Sequence, residues 1–176
     1  MISTNGCRIG AAMLALAAFT TGAVAQESTN RVATKTDWSV FTEDNPKECW
    51  GVSSPKSTAN TRNGQPAEVQ RGDILLFVTY RPGAGSAGEV SFTGGYPFAG
   101  GSTVDVAING RTFQMVTDGQ WAWPADAGAD STILAAMRGG SEAVLTARSS
   151  RGTQTQDTFS LMGFTAAMTE AENRCK

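Results

Sequence analysis

The apolar positions change their period several times along the chain. The first run, Ile9 to Phe19, is continuous, follows the lone charge Arg8, and leads into Ala23-Val24-Ala25. A positive start, an apolar stretch of about ten residues and an Ala-x-Ala ending predict a secretory signal peptide over residues 1–25, cleaved before Gln26. The run is too short to span a bilayer, which takes about 20 apolar residues. From Gln26 to Thr36 the chain turns polar and reads as a flexible N-terminal tail. A single folded domain is therefore expected over residues 37–176.

Within that domain the dominant period is two. Trp38 and Val40, then Cys49 to Val52, predict two short strands on either side of the turn Glu43-Asp44-Asn45-Pro46. Ser53 to Gly72 is polar and reads as a loop with room for one edge strand. Ile74 to Tyr80 is an unbroken apolar run, the pattern of a strand buried on both faces. Further strands are expected at Glu89–Phe92, Val104–Ile108, Thr112–Val116, Ala143–Ala147 and Gln156–Leu161. Asn109-Gly110 is a type I′ hairpin signal, and Asp118-Gly119 is a second one leading into Trp121-Ala122-Trp123. Two segments switch to helical spacing. One is capped by Asp130 or Ser131, carries Ile133, Leu134 and Met137, and stops at Gly139. The other places Phe164, Ala167, Met168, Ala171 and Cys175 on one stripe. Strands at short intervals with two short helices make the chain all-β, an antiparallel sandwich or barrel.

Composition and charge then remove whole classes of chemistry. The 176 residues include three cysteines and no histidine, with 14 Lys+Arg against 16 Asp+Glu. Without histidine there is no Ser-His-Asp or Cys-His site and no His-ligated zinc or haem. A formal net charge of −2 speaks against nucleic-acid binding, which needs a basic face. No cofactor motif is present. Asp126 and Asp130 lack the spacing of a calcium loop, so no metal is expected. Loss of the signal peptide would remove Cys7 and leave Cys49 and Cys175 in an oxidising compartment, where a structural disulfide is the natural pairing. No later segment approaches membrane-spanning length.

A few residues stand out as candidate chemistry. Trp121 and Trp123, two positions apart on a strand, share a face; they either cover one end of the core or form a platform on which a ligand ring stacks. Tyr96 and Phe98 sit in a loop bracketed by Gly94-Gly95 and Gly100-Gly101, so a binding site is expected where that loop meets the tryptophan edge. Arg71-Gly72-Asp73 is the tripeptide that integrins bind, or a polar turn feeding the next strand. Arg138, Arg148 and Arg151 would converge on an anion or remain solvated. Glu89, Asp105, Asp118, Asp126, Asp130, Glu142 and Asp157 are the carboxylates available to a hydrolase, with no spacing that pairs any two.

In order along the chain, Asp37-Trp38, Cys49, the Ile74–Tyr80 strand, the Val104–Val116 hairpin, Ala135-Ala136-Met137-Arg138-Gly139-Gly140, Ser150-Arg151-Gly152-Thr153, the run Ser160-Leu161 to Gly163-Phe164-Thr165-Ala166-Ala167, and Cys175 together resemble the invasion-associated locus B family of exported alphaproteobacterial proteins. The resemblance implies an immunoglobulin-like β-sandwich and a periplasmic or outer-membrane-associated location. In pathogenic members it implies a part in host-cell entry, with host-surface or envelope components as partners; it implies no catalytic residue. The resulting expectation is a non-enzymatic exported binding protein of unspecified oligomeric state. The alternatives are a structural or envelope-stress protein without a ligand and, further off, a carboxylate-dependent hydrolase.

Overall fold

In the computed structural model, which describes residues 30–176, twelve strands and two helices follow one another. The strands are β1 (Arg31–Lys35), β2 (Trp38–Asp44), β3 (Lys47–Ser53), β4 (Ser57–Arg62), β5 (Gln65–Pro66), β6 (Leu75–Arg81), β7 (Ser86–Thr93), β8 (Thr103–Ile108), β9 (Arg111–Asp118), β10 (Trp121–Trp123), β11 (Glu142–Arg148) and β12 (Gln154–Ser160). Helix α1 (Ala127–Gly139) lies between β10 and β11, and α2 (Phe164–Arg174) ends the chain. The expected signal peptide and the first residues of the expected tail fall outside the described residues.

All pairings are antiparallel, in the unbroken order β1-β2-β3-β6-β7-β10-β9-β8-β11-β12-β4-β5. The ladder curls so that distant strands face each other across one core. Phe92 of β7 meets Phe159 of β12 edge-on, with ring centroids 6.1 Å apart. Trp38 of β2 donates its indole N–H to the Ser160 carbonyl at 3.0 Å. The layers expected of a sandwich thus come from one continuous sheet that is not closed into a barrel.

The period of two decides which side chains enter the core. Trp38, Val40, Cys49, Leu76, Val78, Tyr80, Val90, Phe92, Val104, Val106, Ile108, Met115, Ala122, Ala143, Leu145, Ala147 and Phe159 are all buried, and on each strand they alternate with less buried neighbours wherever one face meets solvent. The Ile74–Tyr80 run departs from expectation here. Leu76, Val78 and Tyr80 point inward, whereas Leu75 and Phe77 are only half-buried on the outer face. A continuous apolar run therefore marked a strand with an aromatic outer face.

Local chemistry corrects several boundaries. Residues 31–35, expected in the flexible tail, form β1: a two-residue turn brings Lys35 opposite Trp38, and Val32 and Ala33 pack against the core. The polar stretch after Ser53 supplies β4, which pairs with β12 along five positions, and Asn63-Gly64 turns it into β5 with both residues at positive φ. Asn109-Gly110 forms its turn as expected, at φ 49° and 76°. The second hairpin is shifted by one residue: Asp118 pairs with Trp121, so Gly119-Gln120 are the turn residues, and Gly119 takes the positive φ. Helix α1 is capped four residues before Asp130, because the Asp126 side chain accepts from the Ala129 N–H at 2.9 Å. Asp130 is used differently, accepting from the Val90 N–H of β7 at 2.8 Å.

The C-terminal stripe is realised in full. Phe164, Ala167, Met168, Ala171 and Cys175 are buried, and α2 packs on β2 and β3. At its start Gly163 has φ 86°, and a Cβ there would lie 2.0 Å from the Lys35 carbonyl oxygen; only glycine allows β1 so close. The helix ends on the Cys49–Cys175 disulfide, with the Cα atoms 5.7 Å apart and 126 positions between them. Closing a loop of that length stabilises the fold by about 5 kcal/mol on a chain-entropy basis. Reduction under native conditions is expected to lower Tm by about 10 °C or more for a domain of this size, measured by calorimetry with and without reductant. A Cys49→Ala/Cys175→Ala variant with unchanged Tm would show that the bond contributes nothing.

Candidate functional site

Directly opposed residues of an antiparallel pair point to the same face, and four adjacent strands use this to gather aromatics outside the core. Trp50 lies opposite Thr79, Thr79 opposite Glu89, and Phe77 opposite Ser91. On the next strand Trp121 opposes Thr93, and Trp123 opposes Val116. The Phe77 and Trp121 rings are 5.8 Å apart, and Trp50 stacks on Phe41 of β2 at 5.6 Å with planes 8° from parallel. Trp121 and Trp123 remain 43% and 40% exposed. The start of α1 stands beside this wall, and sheet and helix together enclose an open groove of about 990 Å³ lined by Trp50, Phe77, Trp121, Trp123, Asp126 and Asp130 among others. That volume is in the range of ligand-binding clefts.

Charge around the groove is uneven. Arg81 donates to Glu48 at 2.8 Å and also to Glu89. Asp126 and Asp130 lie at the helix end, each accepting from a backbone N–H. Burial raises the Asp130 pKa above its ordinary 3.8; the Val90 hydrogen bond opposes this, and the neighbouring Glu89 and Asp126 charges add to it. A carboxyl with a raised folded-state pKa contributes most to stability below its unfolded value, and that contribution is lost as pH rises through the folded pKa. Asp130→Asn keeps an acceptor for Val90 while removing the charge. The variant should therefore gain Tm relative to the parent on going from about pH 3 to about pH 7. A Tm difference that stays flat over that range would contradict this assignment.

A second hollow, about 580 Å³, lies near the turn joining β11 and β12 and is lined by Arg62, Arg71, Tyr96, Arg151, Thr153 and Thr155 among others. One of its lining residues, Arg71, belongs to a buried ion pair. Arg71, with its side chain 6% exposed, grips the wholly buried Asp157 of β12 through two hydrogen bonds of 2.7 and 2.6 Å. The same guanidinium donates to the Gly94 carbonyl at 2.9 Å and lies over the Tyr96 ring, 5.0 Å from its centroid. Burial raises the Asp157 pKa, and the Arg71 hydrogen bonds and charge pull against that. Gly72 donates its N–H to the Gly95 carbonyl at 2.9 Å, holding the two loops together.

These positions sort the residues singled out from the sequence. Arg71-Gly72-Asp73 is not an integrin motif on offer, because its arginine is consumed inside the fold. Trp121 and Trp123 do share an exposed face, as a platform requires. Tyr96 and Phe98 do not join them. The Tyr96 hydroxyl pairs with Thr155 at 2.5 Å, and Phe98 is 6% exposed against Phe92 and Tyr96. Their loop does reach the tryptophan edge, since Phe98 N–H donates to Gly119 at 2.8 Å, but the indoles of β10 point to the opposite side of the sheet. Arg138 precedes β11 and Arg148 ends it, so a strand of about 20 Å separates them; the three arginines do not converge. Trp50 and Phe77 are the groove residues that the sequence did not single out. Cys49 inward in a two-residue period would have placed Trp50 outward.

Fold and site together define a disulfide-closed antiparallel β protein with an aromatic groove on the solvent face of its sheet. Residues 86–172, from β7 through most of α2, match the family model described as Invasion associated locus B (IalB) protein. The chain is also similar to the crystal structure of invasion associated protein b from Bartonella henselae, with a TM-score of 0.53 and 17% identity, over 79% of this chain and 94% of that one. At that identity the likeness speaks for the fold. No curated protein matches the chain.

Arg71→Ala would leave the Asp157 carboxylate buried without a counter-charge. A loss of about 3–5 kcal/mol is expected, read by urea denaturation. Arg71→Met with Asp157→Leu should recover part of it, because no lone charge then remains inside.

Proposed function

We propose that this chain is an exported, non-enzymatic binding protein of the cell envelope whose working surface is the aromatic groove on β3, β6, β7 and β10. The observation that carries the reading is the set of four aromatic side chains, Trp50, Phe77, Trp121 and Trp123, along one open groove. Indoles left 40% or more exposed cost the free protein apolar hydration and gain by being covered. Export is supported by the signal-like segment at residues 1–25 and by the Cys49–Cys175 disulfide, which suits an oxidising compartment. Among the described residues no helix is long and apolar enough to cross a membrane. The similarity to an invasion associated protein makes adhesion to a host-cell surface the role proposed in a pathogenic source.

The test separates place from action. Fractionation into periplasm, outer membrane and medium, with protease added to intact cells, should find the cleaved chain outside the cytoplasm. Surface accessibility supports adhesion; retention inside the outer membrane supports an envelope partner instead. Trp121→Ala/Trp123→Ala should abolish capture of the partner while leaving Tm within a few degrees, because both indoles lie outside the core. Undiminished capture by that variant would sink the groove as the working surface.

A further inference from the structure

The groove's charge specifies what kind of partner covers it. Four carboxylates line it, from Glu48, Glu89, Asp126 and Asp130, against the single guanidinium of Arg81. Elsewhere the chain holds 13 basic and 12 acidic residues, so the molecule's negative excess is concentrated at this one place. Arg81 is already held between Glu48 and Glu89. Asp126 and Asp130 face the groove from the helix side, and the Asp130 pKa, raised chiefly by burial, is raised further by the Glu89 and Asp126 charges, as like charges sharing a site do.

Resting on the reading of the groove as the working surface, we propose that it takes a lysine- or arginine-bearing segment of a partner polypeptide. The basic side chain would lie over the indole faces with its cationic end toward Glu89, Asp126 and Asp130. Indole faces attract organic cations, most strongly where water is excluded, and the carboxylates supply the charge that an amine or guanidinium loses on leaving water. Recognition has to come from side chains, because β6, β7 and β10 each have ladder partners on both sides and their backbones offer no free edge. A polypeptide fits better than a lone small cation for two reasons. The groove is open and has room for several residues. The apolar surface also continues past it, to Val116 at 44% exposure on one side and to the Phe41–Trp50 stack on the other. Tryptophan-rich patches of this kind anchor protein interfaces.

Isothermal titration calorimetry on the intact disulfide-bonded chain tests this with three probes: hexalysine, hexalysine with every side-chain amine acetylated, and the neutral sugar chitohexaose. Hexalysine should bind, the acetylated peptide at least about tenfold more weakly, and affinity should fall with added salt. Glu89→Gln/Asp126→Asn/Asp130→Asn keeps the acceptors for Val90 and Ala129 and should fold with an unchanged or higher Tm. It should weaken hexalysine by about tenfold or more, as should Trp121→Ala/Trp123→Ala. Removing three carboxylates elsewhere, by Glu68→Gln/Glu142→Gln/Glu172→Gln, should leave binding nearly intact. Equal binding of the two peptides, or loss shared equally by the two charge variants, overturns the proposal, as does the absence of binding by any probe. Chitohexaose binding that needs the tryptophans, with hexalysine inert, keeps the groove as the site and removes the cationic partner. Binding that the tryptophan variant retains removes the groove itself.

Discussion

A carboxylate with no exposure to solvent sits in the middle of β12, and several parts of the chain are arranged to answer it. Moving a lone ion of that size out of water costs several kcal/mol even after relaxation. Asp157 is therefore tenable only because Arg71 reaches it with two hydrogen bonds. Holding Arg71 there constrains the segment between β5 and β6. That segment is fastened in turn by Gly72 on Gly95, by the Gly94 carbonyl on the guanidinium, and by Tyr96 beneath it. The pair thus joins β12, the glycine-bracketed loop and the approach to β6.

The disulfide performs the equivalent task at the other side of the core. It fastens α2 to β3, so the amphipathic helix covers β2 and β3 where the curled sheet would otherwise leave them open. With Cys49 held inward, its neighbour Trp50 must face outward. The same parity turns Phe77, Trp121 and Trp123 to the outer surface once Leu76, Val78 and Ala122 are committed to the core. The groove is in this sense a by-product of core alignment across four strands. The family match covers residues 86–172, so the ion pair and the groove each lie partly outside it, with Arg71, Trp50 and Phe77 before it and Asp157, Trp121 and Trp123 within it, while both cysteines of the disulfide lie outside it.

Much of the architecture was legible beforehand. The type I′ turn at Asn109-Gly110, the helical stripe ending on Cys175 and most of the strands follow from short-range rules, and the structure agrees with each. The misplacements have specific causes. Residues 31–35 are polar enough to read as a tail because an edge strand needs only one partner and a partly covered face. The apolar residues of the first helix point to a cap at Asp130 or Ser131, whereas the cap is Asp126, four positions before Asp130, set by its hydrogen bond from the Ala129 N–H. The candidate site was half legible: Trp121 and Trp123 share a face as their spacing says, while Phe98 is buried and Tyr96 lines the second hollow, away from the tryptophans.

By itself the sequence determined the strand and helix periods, the two cysteines left to pair, and the absence of histidine chemistry, because each depends on residue identity or on neighbours a few positions away. Only the tertiary structure decided that Arg71 is buried rather than displayed, and that Trp50 and Phe77 join the β10 tryptophans beside Asp126 and Asp130. Those relations span up to 86 positions for Arg71 and Asp157. They depend on how strands are ordered across the sheet and on which charge a buried carboxylate can reach, and neither is encoded in any local period.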